Sequence, residues 1–306
     1  MDGILNILKP PGMSSHDVVS FIRKATRQKK VGHTGTLDPG AAGVLPICLG
    51  RATKIIQFLK DDKEYRAEIT FGKATDSQDS FGQVLKAPGA EGLRAAEVEN
   101  ALKSFQGQIK QMPPMTSAIK YQGKKLYQLA REGIEVDRTP RFVYISDIEL
   151  LEFDRDAAFP KAILHINCSA GTYIRTICHD LGAMLGCGAY MSFLIRTRAG
   201  AFLLEDTVTL EQLLKQVGEA DGQSALNQLP ELMTPMGDAL AHLPAVEIAD
   251  SSIKYVLCGN SIPVSSLFLP TEQPVRLEKD GAVIAIAIVK NSQKADAYLQ
   301  PVKVLA

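Results

Sequence analysis

Behind Ser14-x-x-Asp17, apolar residues recur at Val18, Phe21, Ile22 and Ala25, the spacing of one helical face. The serine and the aspartate three residues on form a capping box, so a helix is predicted from about Ser15 to Arg27. Before it, GILNILKP reads as a short buried strand stopped by the Pro10-Pro11-Gly12 turn. EYRAEITFG (64–72) alternates apolar and polar residues as a half-buried strand does. Val98, Leu102 and Phe105 mark a helix that Gly107 ends, and Leu126, Leu129 and Ala130 mark another closed by Gly133. The runs FVYISDIELLEF and KAILHINCSAG follow as strands, and GTYIRTICHDLGAML (171–185) carries Ile174, Ile177, Leu181 and Met184 on one helical stripe. Thr209-x-x-Gln212 opens a further short helix. Strands and helices do not alternate regularly, which predicts an α+β fold: a mixed, mainly antiparallel sheet with flanking helices. Prolines and small residues cluster from Leu229 to Pro244, and beyond them VEIAD, YVLCG, PVRLEKDGAVIAIAIV and AYLQPVKVL read as β. Asp280-Gly281 is a strong hairpin signal within that stretch. The expected division is therefore 1–245 and a small β-rich unit at 246–306.

Composition narrows the class. The hydrophobic share of 45% and charged share of 22% are those of an ordinary globular chain. No apolar run reaches the roughly 18 residues of a membrane span, and MDGILNILKPPG lacks the basic region and cleavage site of a signal peptide. The five cysteines show no C-x-x-C spacing, which argues against a disulfide framework or zinc site and for free thiols in a reducing cytoplasm. Lys and Arg number 34, as do Asp and Glu, but the cations are unevenly placed. RKATRQKK (23–30) holds five cations and no acid, KYQGKKLY (120–127) interleaves lysines with tyrosines, and FLIRTRAG adds Arg196 and Arg198. Each alone fits a solvated helix face or a helix C-terminus; together they favour contact with a nucleic-acid backbone.

The usual chemical signatures are missing. There is no G-x-G-x-x-G, no Walker spacing, no H-E-x-x-H and no G-x-S-x-G, so neither a cofactor nor a metal is expected. What stands out is VGHTGTLDPGAAGVLPICLG (31–50), with five glycines, two prolines and a single carboxylate, Asp38. Aspartate-proline is a common turn, which accounts for the dipeptide but not for surroundings stripped of other charge. A buried carboxylate costs several kcal/mol unless a cation or N–H donors meet it. Arg175, in the first turns of an otherwise apolar helix, is the best partner by pattern. Two readings stay open from the residues alone: a structural ion pair, and a carboxylate kept ionised for reaction.

These segments resemble a known family. GHTGTLDPGAAGVLPICLGRATK, LNILKPPGMSSHDVV, DKEYRAEITFG, SAIKYQGKKLY and CSAGTYIRTICHDLG are similar, in this order, to the tRNA pseudouridine-55 synthases, over most of residues 2 to 205. The C-terminal portion resembles, more weakly, the family's small RNA-binding domain of the PUA type. The resemblance implies that Asp38 is the catalytic aspartate, Tyr65 the tyrosine that stacks on the target base, and Arg175 the aspartate's partner. It implies that His33 contacts RNA beside the extruded uridine, that Tyr173 binds substrate, and that Leu194 lines an apolar pocket. Lys9 and Pro10 match an N-terminal element that supports the site. GAAGVLP departs from the LATGVLP of many members, which bears on loop packing rather than chemistry.

The implied activity is isomerisation of uridine to pseudouridine at position 55 in the tRNA T-loop, by a cytoplasmic monomer whose partner is tRNA and which needs no membrane, metal or cofactor. Breaking a glycosidic bond with a carboxylate is a known solution, and a detached base that must rejoin through C5 calls for a site poor in water. Reaching that site requires flipping the uridine, which costs a few kcal/mol and is offset by about 1–3 kcal/mol of base–aromatic stacking. Attack on C1′, addition to C6 and removal of the C2′ proton all remain open, with Tyr65 a possible acceptor of H5. The alternatives are a non-catalytic tRNA-binding or folding protein and an N-glycoside hydrolase.

Overall fold

The computed structural model describes residues 1–218, 229–264, 272–291 and 297–305. Its main body is one ten-stranded sheet. The strands are β1 (Gly3–Lys9), β2 (Val31–His33), β3 (Ala42–Leu49), β4 (Lys63–Phe71), β5 (Gly107–Gln111), β6 (Arg141–Asp154), β7 (Lys161–Cys168), β8 (Ala189–Ala199), β9 (Phe202–Leu203) and β10 (Met233–Thr234). The path runs β10-β1-β3-β8-β4-β7-β6-β5, with β2 on β3 and β9 on β8. All pairings are antiparallel except β3 with β8, so the expected mixed, mainly antiparallel α+β sheet is what the chain forms.

That one parallel join explains a glycine. At Ile195↔Ala42 and Arg196↔Gly43 the two backbones converge so closely that a Cβ on Gly43 would lie 2.2 Å from the Arg196 carbonyl oxygen. With φ at +112°, only glycine fits this position.

Local signals formed as the pattern predicts. Helix α1 (Ser15–Thr26) starts at Ser14, whose side chain accepts from Asp17 N while Asp17 accepts from Ser14 N, and ends on Arg27 in the left-handed region. Helices α2 (Ala95–Leu102), α3 (Leu126–Arg131) and α4 (Ile174–Met184) lie at the expected positions, and α5 (Leu210–Gly218) begins after a Thr209–Gln212 capping pair. Helix α4 packs Ile174, Ile177 and Leu181 with Tyr65, Ala67 and Leu194 of the sheet in one buried cluster.

A second sheet of five strands follows: β11 (Ala245–Glu247), β12 (Ile262–Pro263), β13 (Pro274–Lys279), β14 (Ala282–Asn291) and β15 (Ala297–Val304). Asp280 and Gly281 both have positive φ between β13 and β14, as a two-residue hairpin turn requires. One expectation fails. YVLCG is not a strand; Tyr255 to Leu257 end helix α7 (Asp250–Leu257), which follows the one-turn α6 (Met236–Ala239), and Cys258 caps it. Ile253 and Val256, three apart, turn into the small core, and a five-residue apolar window is too short to show that period. Residues 265–271, 292–296 and 306 of the expected C-terminal unit lie outside the described residues.

Candidate active site

Asp38 sits on the loop between β2 and β3, and the sequence holds that loop from below. Ala41 N donates to Asp38 O at 3.0 Å, closing the turn that Asp38-Pro39 favours. Ser15, at the start of α1, accepts from Leu37 N at 2.8 Å and donates to Leu37 O at 3.1 Å. Gly12, from the diproline turn, donates to Pro39 O at 2.8 Å. Lys9 is fully buried, and its ammonium donates to Pro10 O, Pro39 O and Ala41 O at 2.9, 3.3 and 2.7 Å. Burial brings Lys9 down to about 8, leaving it protonated at neutral pH with three N–H groups for three carbonyls. Lys9 thus props the loop from beneath, beside Pro10.

Arg175 reaches Asp38 from the first turn of α4. Its Nε donates to Oδ2 at 2.9 Å and its Nη2 to Oδ1 at 3.3 Å, a two-point grip. The expected pair therefore forms. The guanidinium also meets Ser77 O at 3.2 Å, Asp79 Oδ2 at 3.5 Å and the Thr116 hydroxyl. Asp79 and Thr116 were not singled out by sequence; they come from two loops distant in the chain, with no local pattern to announce them. Tyr173 precedes the helix, and its backbone N and O are both engaged by the side chain of buried Gln111.

Leu37 and Ala41 flank the acid and share a core with Tyr65, Ile174 and Leu194, so one side of Asp38 is walled by hydrocarbon. The enclosure is incomplete: the Asp38 side chain keeps 37% of its exposure, while that of Arg175 keeps 5%. Burial pushes the Asp38 carboxyl above the usual carboxylate range; Arg175 pulls it back, Asp79 adds to the rise, and Lys9 opposes it. Burial likewise pushes the Tyr65 phenol up, although the Arg196 guanidinium beside it pulls the other way. Tyr65 is therefore neutral at physiological pH. His33, on β2, is half-buried, its Nδ1 is sealed without a partner, and burial with the nearby Arg196 holds it below the ordinary histidine value. Leu194 faces Ala67 across the β4–β8 pair, beside Tyr65 in the same core.

The cationic runs divide. Arg196, expected on an RNA-facing surface, is 1% exposed and donates to Val44 O at 2.7 Å and Gly35 O at 3.1 Å. Arg198 is consumed by Asp62 and Glu64. A guanidinium that donates to backbone carbonyls can pack inside a sheet, which composition does not reveal. Lys120, Lys124 and Lys125 lie on a small hairpin, where Lys124 pairs with Glu132 at 3.1 Å. Among the described residues no cluster of three or more metal-ligating side chains forms, and no helix is long and apolar enough to cross a membrane.

The chain is similar to known proteins over its whole length. Residues 23–174 match the profile of the TruB family pseudouridylate synthase N-terminal domain, and residues 175–241 that of the tRNA pseudouridylate synthase B C-terminal domain. The chain is 46% identical over its whole length to the tRNA pseudouridine synthase B of Pelotomaculum thermopropionicum, covering 98% of that relative. It is 45% identical to the enzyme of the same name from Alkaliphilus oremlandii, covering 100% of this chain and 99% of the relative. Among solved structures, a Cbf5-Nop10-Gar1 complex contains a chain 28% identical that superposes with a TM-score of 0.75, over 99% of this chain and 85% of that one.

Proposed function

Since the chain belongs to the TruB family of pseudouridylate synthases, isomerases of tRNA uridine, we propose that its target is uridine 55 of the T-loop and that Asp38 performs the chemistry. The observation that carries this is the grip of Arg175 on Asp38, with Nε–Oδ2 at 2.9 Å, against the apolar wall of Leu37, Ala41 and Leu194. Attack on C1′, addition to C6 and removal of the C2′ proton each begin from an ionised carboxylate. The guanidinium favours that form and fixes the direction of both oxygens. The open side of Asp38 is where an everted nucleoside enters, and the arriving base excludes the remaining water.

Tyr65 offers its ring as the stacking face for the flipped base, and its burial keeps the phenol protonated, which suits stacking better than proton removal. His33 and Tyr173 line the approach, and Leu194 closes the pocket beneath the base. The C-terminal five-stranded sheet acts as a PUA-like RNA grip, with the division from the catalytic body near residue 245. The chain works as a cytoplasmic monomer; four buried and one exposed free thiols support the reducing compartment.

The test uses a T-arm stem-loop labelled with tritium at C5 of the target uridine. Wild type is expected to release the label and leave the intact RNA mass unchanged, and Asp38→Asn to bind the RNA while turnover falls at least about 10³-fold. Loss of the base from the RNA would make the chain a hydrolase. Retention of tritium by wild type would sink the isomerase reading.

A further inference from the structure

Lys63 opens β4 two residues before Tyr65, and the two share the buried face of that strand. The residue is 5% exposed, yet its ammonium forms no hydrogen bond or ion pair with any described residue. Its Nζ is not among the sealed polar atoms that lack a partner, so it keeps an opening to solvent. Asp61 and Asp62 precede it in the chain, but Asp62 is taken by Arg198 and neither pairs with Lys63. Burial first, and the Arg196 guanidinium second, bring the Lys63 ammonium down to about 8.

Arg196 is the second half of the arrangement. It lies directly across from Tyr65 in the β4–β8 register and forms no ion pair with a described residue. Its Nε and Nη2 donate to Val44 O and Gly35 O. Between the two cations stands Gly35, three residues before Asp38. A Cβ there would lie 3.5 Å from Lys63 Cε and 3.7 Å from Arg196 Nη1. Two buried cations thus converge on one glycine of the loop that carries Asp38; Asp61 and Asp62 oppose the fall at Lys63 from a distance, but no carboxylate among the described residues pairs with either cation. Unmatched buried charge is costly, and two like charges side by side are costlier still. An anion bound between them removes both penalties.

We propose that Lys63 and Arg196, facing each other across Gly35, bind a backbone phosphodiester of the tRNA next to the everted uridine. This rests on the reading of the chain as a tRNA uridine isomerase, because that substrate brings the anion. Two residues along a strand span roughly 7 Å, so a base stacked on Tyr65 places its sugar-phosphate within reach of Lys63. Gly35 keeps the slot empty of side chain. The contact positions the RNA and reads no sequence.

Binding is measured with the T-arm stem-loop on the Asp38→Asn background, so that turnover does not enter, and log Kd is followed against log salt. Lys63→Met keeps the buried stem and removes the charge; it is expected to weaken binding about tenfold and to lower the salt slope by about one. Lys63→Arg restores the slope. Gly35→Ala places a methyl at ordinary contact distance, so the protein keeps its melting temperature while the occupied slot weakens binding. If Lys63→Met fails to fold, Gly35→Ala decides alone. An unchanged slope in Lys63→Met, or wild-type affinity in Gly35→Ala, overturns the proposal. So does stabilisation of wild type by inorganic phosphate that Lys63→Met loses while its RNA slope stays the same, since the slot would then serve a free anion. Tritium release is scored separately. A wild type that shows these slopes and releases no label sinks the isomerase reading and leaves the anion slot standing.

Discussion

Burial raises the Asp38 carboxyl most, and two neighbours then push on it in opposite directions. Arg175 holds the carboxyl down and Asp79 holds it up, while both carboxylates share the one guanidinium. If the ionised acid is the reacting form, activity is lost as pH falls through a pKa that lies above the ordinary 3.8. Arg175→Lys removes the fork and much of the downward pull, so the acid limb of kcat/KM moves to higher pH and the plateau drops about 10–100-fold. Asp79→Asn removes an upward push, so the limb moves to lower pH, with a drop of about tenfold because the guanidinium loses an anchor. A pH–rate profile in which the two variants shift the limb the same way would refute this assignment. The stability sign is separate: a carboxyl whose folded pKa is raised stabilises the fold fully below its unfolded value, and that gain is lost as pH rises through the folded value. At neutral pH the charge on Asp38 therefore opposes folding, which is why Asp38→Asn serves as a folded control. At this scale the sequence exposed Asp38 and Arg175, because charge is conspicuous in apolar company. It hid Asp79 and Thr116, whose roles come from long-range polar contact, and it hid the burial of Lys63 and Arg196, since cations are mostly exposed and pattern assigns them there.

Elements near the site hold the loop at 34–41 in place. Strand β1 supplies Lys9, the turn after it supplies Gly12, and α1 supplies Ser15, so three consecutive pieces of chain hold one short loop. Lys9→Met keeps the buried stem but leaves three carbonyls without their donor, at a cost of about 2–4 kcal/mol. The expected result is a melting temperature several degrees lower, kcat reduced about tenfold or more, and tRNA Kd within about threefold of wild type. Loss of affinity with kcat intact would instead make Lys9 an RNA contact. Elements with local signals were legible in the chain: the Ser14–Asp17 box fixed the start of α1, and Asp280-Gly281 fixed the β13–β14 hairpin. The parallel join of β3 to β8 was not, because it depends on two segments about 150 residues apart meeting at Gly43. Helix α7 was misread as a strand because its apolar residues are adjacent, while its burial pattern is carried by only Ile253 and Val256.

The two sheets of the whole molecule are not independent bodies joined by a string. Ile286 of β14 and Leu305, which follows β15, are buried in a cluster with Ile4 of β1, Val44 and Cys48 of β3, and Ile55. Lys54, on the segment after β3, adds a hydrogen bond of 2.7 Å to Val304 O. The smaller sheet also has its own core around Val256, Val275, Leu277 and Leu299. A unit with a private core can unfold alone only if its shared contacts are weak. Here the shared cluster reaches β1, which supplies Lys9, and β3, which follows the Asp38 loop, so its loss is expected to be felt at that loop. Ile286→Ala removes buried atoms from that joint and is expected to cost about 2–5 kcal/mol. In calorimetry it should lower a single transition, and tritium release should vanish at the same temperature as the signal of the C-terminal sheet. Two separated transitions, with the one that tracks activity unmoved by Ile286→Ala, would show that the joint carries no stability and that the small sheet is only an appended grip.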